Sequence, residues 1–328
     1  MFSRTGAIVL TLASLLFPAS SFSAETKLLK AVSDHFELYT TDNEGAAKAA
    51  LDHFESVRQF MLSSLHAPDP FPQPVRLVAF KSGGDFFSYT PRDVDPGRRA
   101  FSESNASTTT ILLSSTKKEA YEYGVREYVS LLFSKLAPQL PYWFNLGLSE
   151  LYSTLRVENG RMSLGISPAR DFHSTVWPDF DMGVMFRLNG GVSWNKGSAD
   201  FYAETAQSGV PNSKAGARMA DLESTTTVDY PAVLWQLTHM LMFDKKYATK
   251  FGAFMGALGA GQETTAAVQH ILGQSLQGLK EDLVLYAKQP AHAVLSRPFQ
   301  LEKPIAPQIS QLSGAESALV LADLKAVK

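Results

Sequence analysis

The sequence predicts an α+β fold, a mixed β-sheet packed against a pair of helices and followed by a helical subdomain. Three observations carry this expectation. A strand, a long amphipathic helix and a second strand run in succession from Phe36 to Phe80. A hairpin pattern then leads into two apolar helices joined by the short link Ala137 to Leu140. From Tyr230 to about Lys288 the apolar residues recur at helical spacing only.

Phe36 to Thr40 (FELYT) reads as the first strand. Ala47, Leu51, Phe54, Val57, Met61 and Leu65 then recur every three or four residues, which predicts a helix from about Glu44 to Leu65. The run APDPFPQP stops it, and Val75 to Phe80 supplies the next strand. Strand, helix, strand implies a βαβ crossover. Lys81 to Arg99, rich in Gly, Pro and Asp, should be a loop with a short helix. Ala100 to Glu103 and Thr108 to Ser114 should pair as a hairpin.

A helix is expected from Lys118 to Leu136, with Tyr121, Val125, Tyr128, Val129, Leu132 and Leu136 on one face. A second should start with Pro141 in its first position and run to about Leu155. So short a link makes the two helices neighbours. Asn159-Gly160 marks a small hairpin, RVENGRMSLG. Residues 166–228 are polar and glycine-punctuated and should hold little regular structure. Helices are then expected at Tyr230 to Phe243, Lys246 to Leu258, Thr264 to Leu272, and after a Ser275 cap. Arg297 to Gln311 contains three prolines and should be extended. Ala315 to Lys328 has a helical pattern, either a docking helix or the first helix of a repeat.

Composition narrows the function classes. The chain has 328 residues, 45% hydrophobic and 19% charged, which is globular and fits one large or two medium domains. Lys and Arg number 30 against 32 Asp and Glu, so no basic excess exists to neutralise phosphates, and no nucleic-acid role is expected. There is no cysteine, which excludes disulfides, thiolate metal sites and cysteine nucleophiles.

Arg4 followed by the apolar run Ala7 to Phe17 and the small residues PASSFSAE reads as a secretory signal peptide over residues 1–23. The run is too short for a bilayer span, which needs roughly 20 residues. No later stretch is long and apolar enough either. The mature chain is therefore expected to be exported, periplasmic or extracellular, without a membrane span. The segments after the leader divide as 30–165 (α+β), 166–228 (irregular insertion), 229–290 (helical) and 291–328 (extended linker and helix).

The helix pair Val125–Phe133 (VREYVSLLF) and Leu140–Tyr152 (LPYWFNLGLSELY) resembles the active-site helices of the gluzincin zinc metallopeptidases. It looks closest to the peptidase-MA-like domains of unknown function found in bacterial exported proteins. In that pattern the first helix reads His-Glu-x-x-His. The two His share a face and bind zinc, and the Glu activates water. The second helix reads Trp-Leu-x-Glu-Gly, its Glu being the third ligand. A later apolar helix led by Tyr is matched by Tyr230 to Phe243. The order of elements fits from about Asp34 to Gln289. The motif itself is matched only over Arg126 to Tyr152.

Carried across residue by residue, the resemblance puts Arg126 at the first His, Glu127 at the general base, Ser130 at the second His and Leu146 at the third ligand. Glu127 is retained. All three ligand positions are replaced by residues that bind zinc poorly or not at all, so no zinc or other cofactor is expected. None of the seven His residues is paired at i, i+3 or i, i+4. His239, in an apolar helix, reads as a core His rather than a ligand. Glu150, Trp143 and Tyr230 are candidates for lining a retained cleft, although an aromatic cluster such as Tyr142, Trp143 and Phe144 is more often core. Glu150 with Glu127 offers two carboxylates for a weak cation. Arg126 interrupts an otherwise buried helix face. Either its guanidinium fills the space of the lost metal and pairs with Glu127 or Glu150, or it reaches out to a cleft floor or solvent.

Other motifs are weak. Gly83-Gly84, Gly190-Gly191 and Gly256-x-x-Gly259 make no phosphate loop, and Asp171, Asp179 and Asp181 do not have EF-hand spacing. Three functions remain. The first is an inactive metallopeptidase-like domain with a binding or scaffolding role toward an unidentified peptide or protein. The second is a hydrolase with a metal-free site around Glu127, which suffers because a carboxylate beside a guanidinium is a poor proton acceptor. The third is an interaction module continuing into helical repeats.

Overall fold

The computed structural model describes residues 27–90, 99–104, 108–168, 181–187 and 230–325. The leader expectation and most of 166–228, with Asp171 and Asp179, lie outside the described residues. The fold is α+β. A six-stranded mixed sheet has the order β4 (Ala100–Ser104), β5 (Thr109–Leu113), β3 (Val75–Ala79), β2 (Phe36–Thr40), β1 (Leu29–Val32), β9 (Gln308–Gln311), and a second, antiparallel sheet has the order β6 (Arg156–Glu158), β7 (Arg161–Leu164), β8 (Leu295–Pro298).

The chain enters through β1 (Leu29–Val32), a strand that the sequence reading did not anticipate, and turns back antiparallel into β2 (Phe36–Thr40). α1 (Glu44–Leu65) crosses to β3 (Val75–Ala79), which lies parallel to β2. Asn43 caps α1 by accepting from the Ala46 N–H at 3.0 Å. His66 ends it in the left-handed region, its N–H donating to Leu62 O. After the one-turn α2 (Gly83–Phe87), β4 (Ala100–Ser104) and β5 (Thr109–Leu113) form the expected hairpin. β5 runs parallel to β3.

Alternation along the strands sorts side chains to two faces. Leu38, Leu77 and Ile111 face the main core beneath α1 and α3 (Lys118–Leu136). Tyr39, Val78 and Leu112 face the opposite layer. α4 (Tyr142–Ser153) follows, one residue later than expected. Pro141 has a helical φ of −56° but an extended ψ of 139°, so it caps the helix instead of opening it. α3 and α4 pack on each other, and α4 packs on α6 (Tyr230–Phe243). The approach to α6 depends on Gly147. A Cβ there would lie 2.2 Å from Thr238 Oγ1 and 3.2 Å from the Leu234 carbonyl oxygen.

The β6–β7 hairpin (Arg156–Glu158, Arg161–Leu164) turns through Asn159 and Gly160, at φ 51° and 68°. Positive φ at both central residues is the tight hairpin turn for which Asn-Gly is suited. Within the segment expected to be irregular, α5 (Met182–Phe186) makes one helical turn and buries Met185 completely. The later helices are α7 (Ala248–Gly259), α8 (Thr264–Ala267) running into a π turn (Val268–Leu272), and α9 (Leu276–Ala287). The Ser275 hydroxyl oxygen accepts from the Gly278 N–H and caps α9. The segment after 290 contributes to both sheets. β8 (Leu295–Pro298) pairs with β7, and β9 (Gln308–Gln311) pairs with β1. α10 (Gly314–Lys325) then docks Leu324 in the cluster of Leu28, Tyr39, Val78 and Phe80 on the second face. Ser317, fully buried, accepts the Leu28 N–H at 2.9 Å. No helix among the described residues is long and apolar enough to cross a membrane.

His239 joins these late elements. It is fully buried in α6. Nε2 faces the Gly165 and Ala293 carbonyl oxygens at 3.1 and 3.0 Å, and Nδ1 faces the Tyr286 hydroxyl at 2.6 Å. Carbonyls only accept, so Nε2 carries the proton and Nδ1 accepts from Tyr286. Burial, with a smaller contribution from the neighbouring His292, holds His239 down to about 4 from its ordinary 6.5. Between those values the unfolded chain binds a proton that the folded chain refuses, so stability should fall as pH drops from 6.5 towards 4. Urea unfolding at pH 7 and pH 4.5 checks this. His239→Gln should flatten the loss without abolishing it, because burial and Lys118 also hold His53 down to about 4. Equal losses in parent and variant would reject the assignment.

Candidate functional site

The antiparallel seam between α3 and α4 gathers most of the residues picked out by the motif. Arg126 Nη1 donates to Glu150 Oε1 at 3.2 Å, and Nη2 donates to Glu127 Oε1 at 3.2 Å. The three side chains are 17%, 0% and 8% exposed for Arg126, Glu150 and Glu127. Arg126 therefore pairs with both carboxylates and keeps only a minor part of its side chain at the surface. Burial alone would make the guanidinium a weaker base. The charges of Glu150 and Glu127 outweigh it and raise its pKa overall, so the cation is firmly held. The Arg126 guanidinium also lies 6.0 Å from the Tyr123 ring centre.

Glu127 is engaged through both oxygens. Oε1 takes the Arg126 bond, and Oε2 accepts from Ser102 Oγ at 2.6 Å. Ser102 was not anticipated. Its signal lies in the strand register, because it stands opposite Ile111, whose side chain faces the α3 layer. A serine on that face sits among apolar neighbours and needs a partner.

Ser130 lies one turn beyond Arg126 and is half-buried. Its carbonyl oxygen accepts from Asn145 Nδ2 at 3.2 Å, and the same Nδ2 reaches Ser134 Oγ at 3.1 Å. Asn145 was also missed; it pins α4 to α3 one turn away from the ion pairs. Leu146, next to it, is half-buried against the core and lies one turn before Glu150. Arg126, Glu127 and Glu150 thus meet through their side chains, Ser130 joins α4 through its carbonyl oxygen only, and Leu146 packs against the core.

The cleft candidates fare differently. Trp143 is fully buried in the core, its indole N–H donating to Thr264 Oγ1 at 3.1 Å and its ring 4.5 Å from Phe186. Glu150 is likewise fully buried and faces Arg126 instead of an open cleft. Tyr230 opens α6, but its side chain lies outside the described residues. Among the described residues, no group of three or more His, Asp and Glu is placed to hold a metal ion. What the seam does offer is a fixed positive charge between two carboxylates, bordered by the edge strand β4. No protein-family model matches this chain, and no curated protein matches it in sequence.

Proposed function

We propose that this chain is an exported, catalytically inactive metallopeptidase-like domain that binds or scaffolds a peptide or protein segment. One observation carries the reading. At the positions where the resemblance calls for a metal and its water-activating Glu, the chain has a guanidinium held by Glu127 and Glu150. An arginine supplies the positive charge that two buried carboxylates need, but it has no open coordination position and cannot deliver a metal-bound hydroxide. Glu127 has both oxygens occupied and is poorly disposed to accept a proton from water.

What is left for such a scaffold is recognition. β4 is an edge strand among the described residues, and Ser102 joins it to the seam. An extended peptide could add beside β4 through main-chain hydrogen bonds, which need no catalytic group.

The first test is the metal content of the purified mature protein, by elemental mass spectrometry with and without added zinc. We expect no retained zinc and a melting temperature indifferent to chelator. One tightly bound zinc per chain would overturn the reading. Hydrolysis of peptides recovered from a display selection would overturn it too.

A further inference from the structure

We propose that residues 291–299 form an acid-released strap, which a proton on His239 unseats from the end of β7 while the rest of the fold stays closed. The inference rests on the late elements alone and stands apart from the seam and from the function proposed for it.

The His239 ring bridges the two ends of one strand pair. Its Nε2–H faces the Gly165 carbonyl, one residue past β7, and the Ala293 carbonyl, two residues before β8. Gly165 lies at φ 93°, and a Cβ there would stand 2.8 Å from Nε2 and 2.9 Å from the Ala293 oxygen. Both backbone segments therefore close directly on the imidazole, and the contact depends on a glycine.

The surroundings suit a neutral ring. A second proton has to sit on Nδ1, which accepts from the Tyr286 hydroxyl at 2.6 Å, so that bond must reverse. The ionisable groups facing the ring are Tyr286 from α9 and His292 from the strap. The His292 ring centre lies 5.5 Å from that of His239 and 5.0 Å from that of Tyr286. Asp244, just past α6, acts on Tyr286. Among the described residues, no carboxylate from α4, α7, α9 or the strap offsets a charge on His239, and His292 opposes it. A buried cation without a counter-charge is expensive.

Relief comes from the element that is held least. All four residues of β8 are exposed, whereas α9 is fixed by buried Leu279 and Leu283, and α6 by Trp235, Leu237 and Leu241. Beyond its ladder with β7, the strap is held by the Phe299 N–H donating to Gly160 O at 2.9 Å and by Arg297. The Arg297 guanidinium lies 4.5 Å from the Phe60 ring centre and donates to Ser64 Oγ at 3.0 Å. Exposed hydrogen bonds with little buried apolar surface mark a segment of low local stability. Once the strap lifts, His239 meets water and titrates near its ordinary 6.5 instead of about 4, so each proton bound favours the open form. Opening frees the edge of β7 and the face of Phe60, which is 2% exposed when the strap is closed.

The test is hydrogen exchange at pH 7 and pH 5, read by mass spectrometry and corrected for the intrinsic effect of pH on exchange. We expect protection of residues 161–165 and 291–300 to fall roughly twentyfold, the factor that linkage gives for affinities of 6.5 open and about 4 closed. The central strands β3 and β5 should keep theirs. His53, also held down to about 4, lies on α1, so its titration is read there. His239→Gln should abolish the fall in the strap. A second variant does not touch the ring. The chain has no cysteine, and Ser163 and Ser296 stand opposite each other across β7 and β8, their hydroxyls 3.3 Å apart. Ser163→Cys with Ser296→Cys, once oxidised, should keep residues 161–165 protected at pH 5, and reduction should restore the fall. Unchanged strap protection at pH 5 would overturn the proposal. So would a fall shared equally by β3 and β5, which is global unfolding, or one that His239→Gln or the oxidised bridge leaves in place.

Discussion

Replacing Arg126 by Met is expected to lower the unfolding free energy by about 3–5 kcal/mol, the range for removing one partner of a buried ion pair. Glu150 is fully buried and Glu127 nearly so, and the change takes from both the guanidinium that faces them. The loss reflects carboxylates stranded without their cation more than the net worth of the bonds. The companion variant Arg126→Met with Glu150→Leu should recover the share of the loss due to Glu150, because a buried charge pair exchanged for well-packed apolar groups is often neutral or better, but not the share due to Glu127, which keeps its bond from Ser102. Urea unfolding of the parent and the two variants, followed by circular dichroism, measures all three chains. An unchanged midpoint in Arg126→Met would mean that the seam does not depend on the guanidinium, and the idea of a cation standing in for a metal would fail.

Much of the scaffold around that seam is legible in the sequence, because local signals and long-range packing agree there. α1 begins at Glu44 and ends at Leu65 as expected, between an Asn43 cap and a proline-rich stop. α3 keeps its expected limits because its apolar stripe meets both the sheet and α4. The strands that escaped notice are those with no pattern of their own. β1 has four residues, and β8 and β9 are short, polar and largely exposed. Their conformation comes from partners far away in the chain: β1 pairs with β9, and β8 with β7. No local spacing encodes a pairing across some 280 residues, so the segment after 290 read as a linker although it adds strands to both sheets.

The site was half legible for the same reason. Helical spacing puts Arg126 and Ser130 on one face, and Leu146 and Glu150 on another. Whether Arg126 turned inward was undecided in the sequence, since a long side chain can snorkel from a buried helix. The decision comes from Glu150 on the opposite helix, whose full burial is a tertiary fact. Ser102 and Asn145 depend on strand register and helix pairing, and neither carries a motif that would mark it beforehand. Trp143 shows the reverse error. It matches a motif position, yet its indole nitrogen and ring are consumed by Thr264 and Phe186 within the core.

Restoring all three lost ligands should convert the seam into a zinc site, if the proposed metallopeptidase likeness is right. The variant is Arg126→His with Ser130→His and Leu146→Glu. Two contacts fix how α3 faces α4: Arg126 with Glu150, and the Ser130 carbonyl with Asn145. Leu146 lies one turn before Glu150, which faces Arg126, so a carboxylate there is expected on the side of the two imidazoles, themselves i and i+4 on α3. Removing the guanidinium also leaves Glu127 and Glu150 as a negative surround for the incoming cation. We expect about one zinc per chain after dialysis, as four-coordinate sites with three protein ligands hold one, and a melting temperature that rises with zinc and falls with chelator. Arg126→His alone, with one ligand, should retain none. The decisive failure is a triple variant that keeps the parent's circular dichroism and takes up no zinc. The helix pair would then lack the spacing of a metallopeptidase seam, the match over Arg126 to Tyr152 would be a coincidence of residue types, and Arg126 would be an ordinary buried ion pair with no metal behind it.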